Sequence, residues 1–537
     1  MSESVWWKSG IIYQIYPRSF QDSNDDGIGD LEGIRRRLDY LVRLGVDAIW
    51  LSPFYPSPMA DFGYDIADYC DVDPRFGSLA DFDALLADAH RHNLKLIVDL
   101  VPNHTSNQHP WFIESRARRT TAKRDWYLWR DPAPGGGPPN NWLSSFGGPA
   151  WTFDEATGQY YYHAFLKEQP DLNWRNPQVR AAMYDVMRFW LRRGVDGFRV
   201  DVIYHLIKDE EFRDNPANQF MTTAEQSSHA VIPLYTTDRP EVQQVIAEMR
   251  RVTDEFGGHA RRVLIGEIYL PLHRLVAYYG RSETGMLEGV HLPFNFQLLS
   301  ARWEARAIDK IVSEYESALP EGAWPNWVLG NHDKPRIASR VGIDQARLAA
   351  VLLLTLRGTP TMYYGDEIGM RDVPIPVDEV QDPFEKNEPG KGVGRDPART
   401  PMQWDDSLHA GFTTGRPWLR LGEDYRSNNV GVLEDDPRSI LSLYKRLTAL
   451  RRRISALTEG GWQAIETSGE LLAFARVQGD QRVIVVANLG AEPAEIGDAI
   501  LPPRAGVLLS SHLDREGPCE HPLVLRPAEA VIAAALA

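Results

Sequence analysis

The sequence predicts a (β/α)8 barrel, the TIM-barrel class of α/β fold. Eight short, nearly continuous apolar runs recur along the chain, and a segment with helical periodicity follows each of them. Strands that are apolar throughout are typical of a parallel sheet covered on both faces, and eight such units favour a closed barrel over an open sheet. The predicted strands are residues 11–16, 46–52, 94–101, 197–202, 263–268, 289–295, 327–331 and 359–364.

Capping signals mark the helices between these strands. Ser78, followed by Asp81, predicts a helix that begins with a capping box. The apolar stripe of segment 31–44 predicts one continuous helix. Asp436 followed by Pro437 predicts the start of the last barrel helix, because aspartate is a favoured N-cap and proline a favoured first residue.

Two departures from the strand–helix repeat predict further domains. The third and fourth strands lie too far apart for one helix and two loops, and the excess, 104–173, predicts an inserted subdomain after strand 3. After residue 456 the pattern changes to the alternation of antiparallel strands, which predicts a C-terminal antiparallel β domain over 457–537. The barrel is therefore assigned residues 1–103 and 174–456.

Composition excludes several functional classes. The 537 residues carry a net charge of −16, which disfavours nucleic acid as a partner. No apolar run approaches the ~20 residues needed to span a bilayer, and the first ten residues lack the pattern of a secretory signal. Two cysteines are too few for a disulfide framework. We therefore expect a cytoplasmic protein, monomeric or homodimeric, without a membrane or nucleic-acid partner.

Residues suited to acid–base chemistry follow the ends of four predicted strands. In barrels of this kind, active sites gather at the C-terminal ends of the strands, so we expect these side chains to converge. They are Asp99, Asn103 and His104 after strand three, Arg199 and Asp201 at strand four, Glu267 at strand five, and Asn331, His332 and Asp333 at strand seven.

The ordered motifs at these strand ends resemble those of a known family. NHTS, GFRVDV, GEIY and GNHD, in this order, are similar to the catalytic motifs of the α-amylase superfamily, glycoside hydrolase family 13. Segments beginning at Gly63 (GYDIAD), Gln169 (QPDLN) and Arg399 (RTPMQW) resemble its oligo-1,6-glucosidase and α-glucosidase branch. The resemblance covers essentially the whole chain.

The resemblance implies a retaining glycosidase with three catalytic carboxylates. Asp201 is the implied nucleophile and Glu267 the general acid/base, while Asp333 favours the distorted sugar ring of the transition state. Arg199 lies two residues before Asp201 on the same strand, so its charge is expected to favour ionised Asp201. Glu267 follows an apolar run and is expected to stay protonated.

The same resemblance implies which residues bind the sugar. Tyr64 offers a ring for the glucose to stack on, and Asp65 with Arg399 resembles the pair that grips the terminal 4-hydroxyl in exo-acting relatives. His104 and His332 are the implied donors to hydroxyls of this glucose. Two aromatic residues match positions on the leaving-group side, although they could equally form the core of the subdomain: Phe146 and Phe165.

A second site is suggested by segment 22–30 (DSNDDGIGD), which spaces oxygen ligands at alternate positions like the first half of a calcium loop. It is not an EF-hand, because Gly33 stands where the bidentate glutamate would be. The resemblance implies a structural Ca²⁺ site, and the alternative that Asp30 only caps the next helix stays open. The implied ligands are Asp22, Asn24, Asp26, the backbone carbonyl of Ile28, and Asp30.

The predicted activity is exo-acting release of glucose from short α-glucosides, with transfer to other hydroxyls as a side reaction. Val202, beside the nucleophile, is associated in this branch with acceptance of α-1,6 links, although it could be an ordinary strand residue. One alternative is isomerisation, as in sucrose isomerases or trehalose synthases. The segment after Asp333 (KPRIAS) lacks the charged Arg-Leu-Asp-Arg pattern of sucrose isomerases, which disfavours them. A non-catalytic relative is the other alternative, and the three carboxylates argue against it.

Overall fold

Eight parallel strands form a nearly closed barrel in the computed structural model, which describes residues 5–221, 227–257, 262–502, 504–519 and 522–535. The order of strands around the sheet is β10-β11-β1-β2-β3-β7-β8-β9, and the prediction of the barrel is confirmed. The strands up to the end of the barrel are β1 (Ile12–Ile15), β2 (Ala48–Leu51), β3 (Lys95–Leu100), β4 (Trp129–Arg130), β5 (Trp151–Asp154), β6 (Gln159–Tyr162), β7 (Gly197–Val200), β8 (Val263–Gly266), β9 (Leu292–Pro293), β10 (Asn326–Val328) and β11 (Thr359–Tyr363).

The register of the barrel strands brings the predicted catalytic residues to one level. Asp99 on β3 pairs with Arg199 on β7, and Val200 pairs with Gly266 on β8. The next residues of β7 and β8 are Asp201 and Glu267. They therefore leave neighbouring strands at the same height, at the C-terminal end of the barrel.

The α-helices cover the outside of the barrel and contribute to its loops. Their bounds are α1 (Trp6–Ser9), α2 (Leu31–Arg36), α3 (Leu38–Leu44), α4 (Leu79–Arg91), α5 (Pro110–Ala117), α6 (Pro177–Arg193), α7 (Val242–Asp254), α8 (Leu272–Leu275), α9 (Gln297–Ser300), α10 (Ala305–Ala318), α11 (Ile337–Val341), α12 (Ile343–Thr355), α13 (Pro383–Asn387), α14 (Val430–Asp435), α15 (Ile440–Arg453) and α16 (Ser455–Thr458). No helix within these described ranges is long and apolar enough to cross a membrane.

Two of the predicted helix boundaries are wrong, and one is confirmed. The capping box of Ser78 is present at the start of α4. Segment 31–44 is interrupted at Arg37 (φ −103°, ψ 6°), whose guanidinium lies 4.1 Å from the centre of the Trp404 ring. The last barrel helix, α15, begins three residues later than predicted because Ser439 is its N-cap, and Asp436 ends α14 instead.

Two long connections at the C-terminal end of the barrel form the walls of the site. The first, between β3 and β7, contains α5 and an antiparallel sheet of order β4-β6-β5. The second follows β11 and carries α13 together with several turns of 3₁₀-helix. The exact boundaries of an inserted subdomain at 104–173 stay a prediction.

The chain ends in antiparallel sheets, as predicted. A six-stranded sheet has the order β12-β13-β14-β19-β16-β17, and β15 pairs with β18. This part packs its own core, to which Ile484, Val486 and Val531 belong. The strands are β12 (Gly461–Ile465), β13 (Leu471–Gln478), β14 (Gln481–Asn488), β15 (Ala494–Ile496), β16 (Ala505–Ser510), β17 (Gly517–Pro518), β18 (Leu523–Leu525) and β19 (Glu529–Ala535).

Candidate active site

A cavity of about 590 Å³ lies at the C-terminal end of the barrel, and its volume is typical of a small-ligand site. Asp201, Glu267 and Asp333 line it together. The two long connections supply further walls, with Phe146 from the first and Arg395 from the second. The structure thus brings the three predicted carboxylates into one chamber.

Arg199 links the carboxylates beneath this cavity. Its Nη1 lies 2.7 Å from Asp201 Oδ1 and 3.0 Å from Asp99 Oδ1, while its Nη2 lies 2.8 Å from Glu267 Oε2. The backbone N–H of Val202 donates a second hydrogen bond to Glu267 Oε2, at 2.9 Å. Arg199 therefore contacts three acids, whereas its charge was predicted to act on Asp201 alone.

The electrostatics of this cluster favour retention of a proton. Burial raises the pKa of Asp201 well above its ordinary value, Glu267 adds to the shift, and Arg199 opposes it. Burial also raises the pKa of Asp99 to about 7, again against the effect of Arg199. One guanidinium cannot neutralise three carboxylates, so the cluster is suited to hold an acid beside an ionised nucleophile.

Asp333 has a different environment from Asp201 and Glu267. Its Oδ1 accepts a hydrogen bond from Arg399 Nη2 at 2.9 Å and lies 3.4 Å from Arg395 Nη1. Burial alone would raise the pKa of Asp333, but the neighbouring His332, Arg395 and Arg399 lower it below its ordinary value. Asp333 is therefore an ionised hydrogen-bond acceptor in the cavity.

Tyr64 and the two predicted histidines lie together on the cavity wall. The rings of Tyr64 and His332 are stacked, with centroids 5.4 Å apart and planes at 2°. His104 Nε2 lies 3.1 Å from the backbone oxygen of Tyr64 and 3.2 Å from Gln169 Nε2. Burial lowers the pKa of His104 to about 4 and that of His332 to about 3, so both rings are neutral near pH 7.

Asp65, which was predicted to bind the sugar, does not line the cavity, because both its carboxylate oxygens are held by its own loop. Asp65 is fully buried and accepts hydrogen bonds from Ser57 Oγ and from the backbone N–H groups of residues 60 and 61, all at 2.9 Å. Asp61, four residues earlier, lines the cavity instead and lies 2.6 Å from Arg395 Nη2. Asp61 and Asp65 lie in the same turn-rich loop, and this loop has no periodicity that would indicate which of them lines the cavity.

The predicted partner Arg399 also lies behind the cavity wall. It is fully buried and donates to the backbone oxygen of His332 at 2.7 Å as well as to Asp333. Arg395 is the arginine of this segment that reaches the cavity, where it lies between Asp61 and Asp382. Arg395 is not among the predicted site residues, although it stands only four residues before the RTPMQW segment.

The aromatic pair Phe146 and Phe165 lies in the cavity wall. Phe146 stacks on Phe384 at 4.8 Å, and the Arg395 guanidinium lies 4.8 Å from its ring centre. Phe165 lies 5.3 Å from the His104 ring. The two rings also contact each other at 5.5 Å, so they combine a surface for the ligand with packing between the connections.

Val202 has an unusual backbone beside the nucleophile. Its φ and ψ are 36° and 45°, in the left-handed region that β-branched residues rarely adopt. This conformation turns its N–H towards Glu267 while its side chain lines the cavity. Strain of this kind persists where the surrounding structure enforces it, and it is concentrated at functional sites.

The predicted calcium loop lies between β1 and α2, and none of its residues lines the cavity. Asp30 caps α2 by accepting the Gly33 N–H at 2.6 Å, and Asp22 accepts three backbone N–H groups of the loop. In the described part of the chain, no three histidine, cysteine or acidic side chains converge as a metal site. The oxygen donors fit the chemistry of Ca²⁺, but the two buried aspartates already hold the loop.

Comparison with known proteins places the chain in a family. The alpha amylase catalytic domain matches residues 14–460. A probable alpha-glucosidase of Rhizobium meliloti is 44% identical over 91% of this chain and 90% of its own length, and an oligo-1,6-glucosidase of Bacillus cereus is 38% identical over 99% of each. The solved structure of an alpha-glucosyl transfer enzyme superposes with a TM-score of 0.92 at 40% identity, covering 99% of this chain and 100% of its own. A trehalulose synthase of Pseudomonas mesoacidophila reaches 0.88 at 35% identity, covering 99% of each. The chain belongs to the alpha-amylase family, glycoside hydrolase family 13.

Proposed function

We propose that this protein is an exo-acting, retaining α-glucosidase that releases glucose from the non-reducing ends of short α-glucosides. The observation that carries the proposal is the arrangement of Asp201 and Glu267 on one guanidinium, in a cavity of small-ligand size that Asp333 also lines. Two carboxyl groups with a shared positive partner can divide the roles of nucleophile and acid. The curated relatives named as glucosidases support the same reaction class.

In the first step, Asp201 Oδ attacks the anomeric carbon as the bond to the leaving oxygen breaks. Glu267 gives its proton to that oxygen, so the aglycone departs as an alcohol. Arg199, 2.7 Å from Asp201, stabilises the ionised nucleophile. Asp333 accepts hydrogen bonds from sugar hydroxyls as positive charge develops on the ring.

In the second step, Glu267 acts as a base. It removes a proton from an incoming water, whose oxygen attacks the anomeric carbon and expels the Asp201 carboxylate. The product is glucose with retained α configuration. A sugar hydroxyl can replace the water, since it offers the same proton and nucleophilic oxygen, and this gives transglucosylation.

Exo action is supported by the charged pair in the cavity wall. Asp61 and Arg395 can both hydrogen-bond hydroxyls of a terminal glucose, and Arg395 is held in place by the buried Asp382. A pair of this kind at the end of the pocket leaves no room for a preceding sugar. Long starch chains are therefore expected to be poor substrates.

The linkage preference is assigned to Val202, whose side chain lines the cavity beside Asp201. A valine offers no hydrogen bond to the incoming sugar, and a site without a polar contact rejects few alternatives. We therefore expect hydrolysis of both α-1,4 and α-1,6 links, with trehalose or sucrose as further substrates.

A panel of disaccharides that differ only in linkage tests the proposal. Maltose and isomaltose should both release glucose, and NMR of the first turnovers should show the α anomer. Asp201→Asn serves as the control for contaminating activity. Release of β-glucose, or cleavage of long chains in preference to disaccharides, would contradict the mechanism or the exo assignment respectively.

A second candidate, isomerisation of sucrose, is supported by the superposition on trehalulose synthase. The same glucosyl-enzyme would form, and the released fructose would attack it through another hydroxyl. Incubation with sucrose separates the two candidates: a hydrolase gives equal glucose and fructose, whereas an isomerase gives a new disaccharide and little of either.

The loop over residues 22–30 is also proposed to bind a structural Ca²⁺ ion. The support is its oxygen-only donor set and the exposure of Asn24 and Asp26, whose side chains can turn towards a cation. Chelation should lower the melting temperature with little early effect on turnover. The cytoplasmic location and the monomeric or dimeric state stay predictions.

A further inference from the structure

We propose that Gln14 is a positioning residue that holds His332 in a single tautomer, with the ring proton on Nε2. Gln14 lies on β1, is fully buried and does not line the cavity. The inference rests on the proposed function, because His332 is part of the same sugar-binding wall. Gln14 lies behind that wall and acts on it through its contact with His332.

A chain of short contacts runs from Gln14 to the Arg199 cluster. Gln14 Nε2 lies 2.7 Å from His332 Nδ1, and His332 Nε2 lies 2.7 Å from the Tyr64 hydroxyl. The Tyr64 hydroxyl lies 3.3 Å from Asp99 Oδ2. His332 Nε2 also lies 3.2 Å from Asp333 Oδ2. Gln14, His332, Tyr64 and Asp99 are buried, so the direction of their hydrogen bonds is fixed by one another rather than by solvent.

The His332 ring is neutral, so only one of its nitrogens carries a proton. Burial lowers its pKa to about 3 and outweighs the opposing charge of Asp333. An unprotonated Nε2 would point a lone pair at the Asp333 carboxylate, which is ionised. A protonated Nε2 is attracted to the same group. The carboxylate therefore favours the proton on Nε2 and a lone pair on Nδ1.

The amide of Gln14 has the matching orientation. Its Nε2 donates to His332 Nδ1 and to Ser52 Oγ, at 2.7 and 3.2 Å. Among the residues that the structure describes, none hydrogen-bonds Gln14 Oε1. The reversed amide would leave two buried N–H donors without partners instead of one acceptor. Buried N–H groups without partners are the rarer and less favourable case, so Nδ1 accepts and Gln14 donates.

This orientation determines the remaining hydrogen atoms. The Tyr64 oxygen accepts from His332 Nε2–H, and the Tyr64 hydroxyl hydrogen then points to Asp99. Without the Gln14 donor, the Nδ1–H tautomer becomes accessible. In that tautomer Nε2 presents a lone pair to Tyr64 and Asp333, and the Tyr64 hydroxyl turns from Asp99 towards Nε2.

The decisive measurement is ¹⁵N NMR of protein labelled in histidine, recorded without substrate and assigned with His332→Asn. We expect the long-range ¹H–¹⁵N pattern of the wild type to show a protonated Nε2 and an unprotonated Nδ1 for His332. A wild type with the proton on Nδ1 would overturn the proposal. Because no substrate is present, this outcome does not depend on the glucosidase assignment.

Two variants and one control extend the test. Gln14→Met removes the donor at similar size and should give a mixture of tautomers, with kcat/KM lower by about tenfold, the equivalent of one hydrogen bond. Gln14→Glu presents an acceptor and should move the proton to Nδ1. Ser52→Ala removes the other amide contact and should keep the wild-type pattern. A pure Nε2–H pattern in Gln14→Met would show that Asp333 alone sets the tautomer and would refute the role of Gln14.

Discussion

Replacing Asp61 and Asp65 separately by asparagine distinguishes the acid in the cavity wall from the acid that holds its loop. Asp61→Asn removes the charge beside Arg395 while keeping the size of the side chain. If Asp61 accepts the terminal 4-hydroxyl, the variant loses a charge-assisted hydrogen bond of about 1.5–3 kcal/mol. With 1.36 kcal/mol for each factor of ten, kcat/KM should fall by about ten- to more than a hundredfold. Arg395 keeps its contacts with Asp382, so the fold should remain intact.

Asp65→Asn should change stability instead. Both oxygens of Asp65 accept N–H or O–H donors, and an asparagine amide can replace only one of them as an acceptor. Its NH₂ group would face the Ala60 or Asp61 N–H, and a buried donor left unpaired costs about 1–3 kcal/mol. We expect a lower melting temperature with kcat/KM close to that of the wild type.

The assay is hydrolysis of a nitrophenyl α-glucoside and of the same compound without the 4-hydroxyl. The wild type should lose much of its kcat/KM on the deoxy substrate, whereas Asp61→Asn should lose little more, because the interaction is already gone. If the two losses are additive, or if Asp65→Asn loses activity and Asp61→Asn does not, the assignment of the clamp to Asp61 is refuted.

Further predictions concern the catalytic groups, the linkage and the metal. Asp201→Asn should abolish turnover with an unchanged melting curve, and measurable steady-state activity would contradict its role as nucleophile. Glu267→Gln should lose activity on natural disaccharides yet still cleave a substrate whose leaving group needs no proton. An equal loss of activity on both kinds of substrate would contradict the assignment of Glu267 as the acid. Val202→Thr should raise the maltose-to-isomaltose ratio of kcat/KM by about three- to tenfold, the effect of one added hydrogen bond. Val202→Ala is the control, because it adds no hydroxyl. An unchanged ratio in Val202→Thr would refute the role of this residue. A chelator that leaves the melting temperature unchanged, together with metal analysis showing no calcium, would reject the calcium loop over residues 22–30.

The fold was predictable because its strands are short, buried and separated by regular helices. A strand that is apolar throughout has few alternatives to a covered parallel sheet, and eight of them define the barrel. The boundaries were less certain where two local signals compete. Asp436 and Ser439 both carry side chains that can cap a helix, and the structure uses Ser439 for α15 and leaves Asp436 at the end of α14.

The predicted carboxylates Asp201 and Glu267 lie together at one end of the barrel because their position follows from strand register. Once Asp99 pairs with Arg199 and Val200 pairs with Gly266, the residues that follow must lie together. The positions of the residues in the proposed sugar-binding wall do not follow from strand register. Asp61 contacts Arg395, 334 residues away in sequence, and no local pattern reports such a contact.

The backbone conformation of Val202 is a feature of the site that the apolar pattern does not predict. The apolar alternation extends a strand to residue 202, yet β7 ends at Val200 and Val202 turns into the left-handed region. A β-branched residue in this conformation costs about 1–3 kcal/mol, so other contacts must offset it. Two backbone bonds do so: the Asp201 N–H donates to Leu100 O at 2.8 Å, and the Val202 N–H donates to Glu267 at 2.9 Å. Because the Val202 N–H that follows Asp201 is bonded to Glu267, the turn links the proposed nucleophile to the proposed acid. The strained residue thus ties together the two groups whose separation matters in the proposed retaining mechanism.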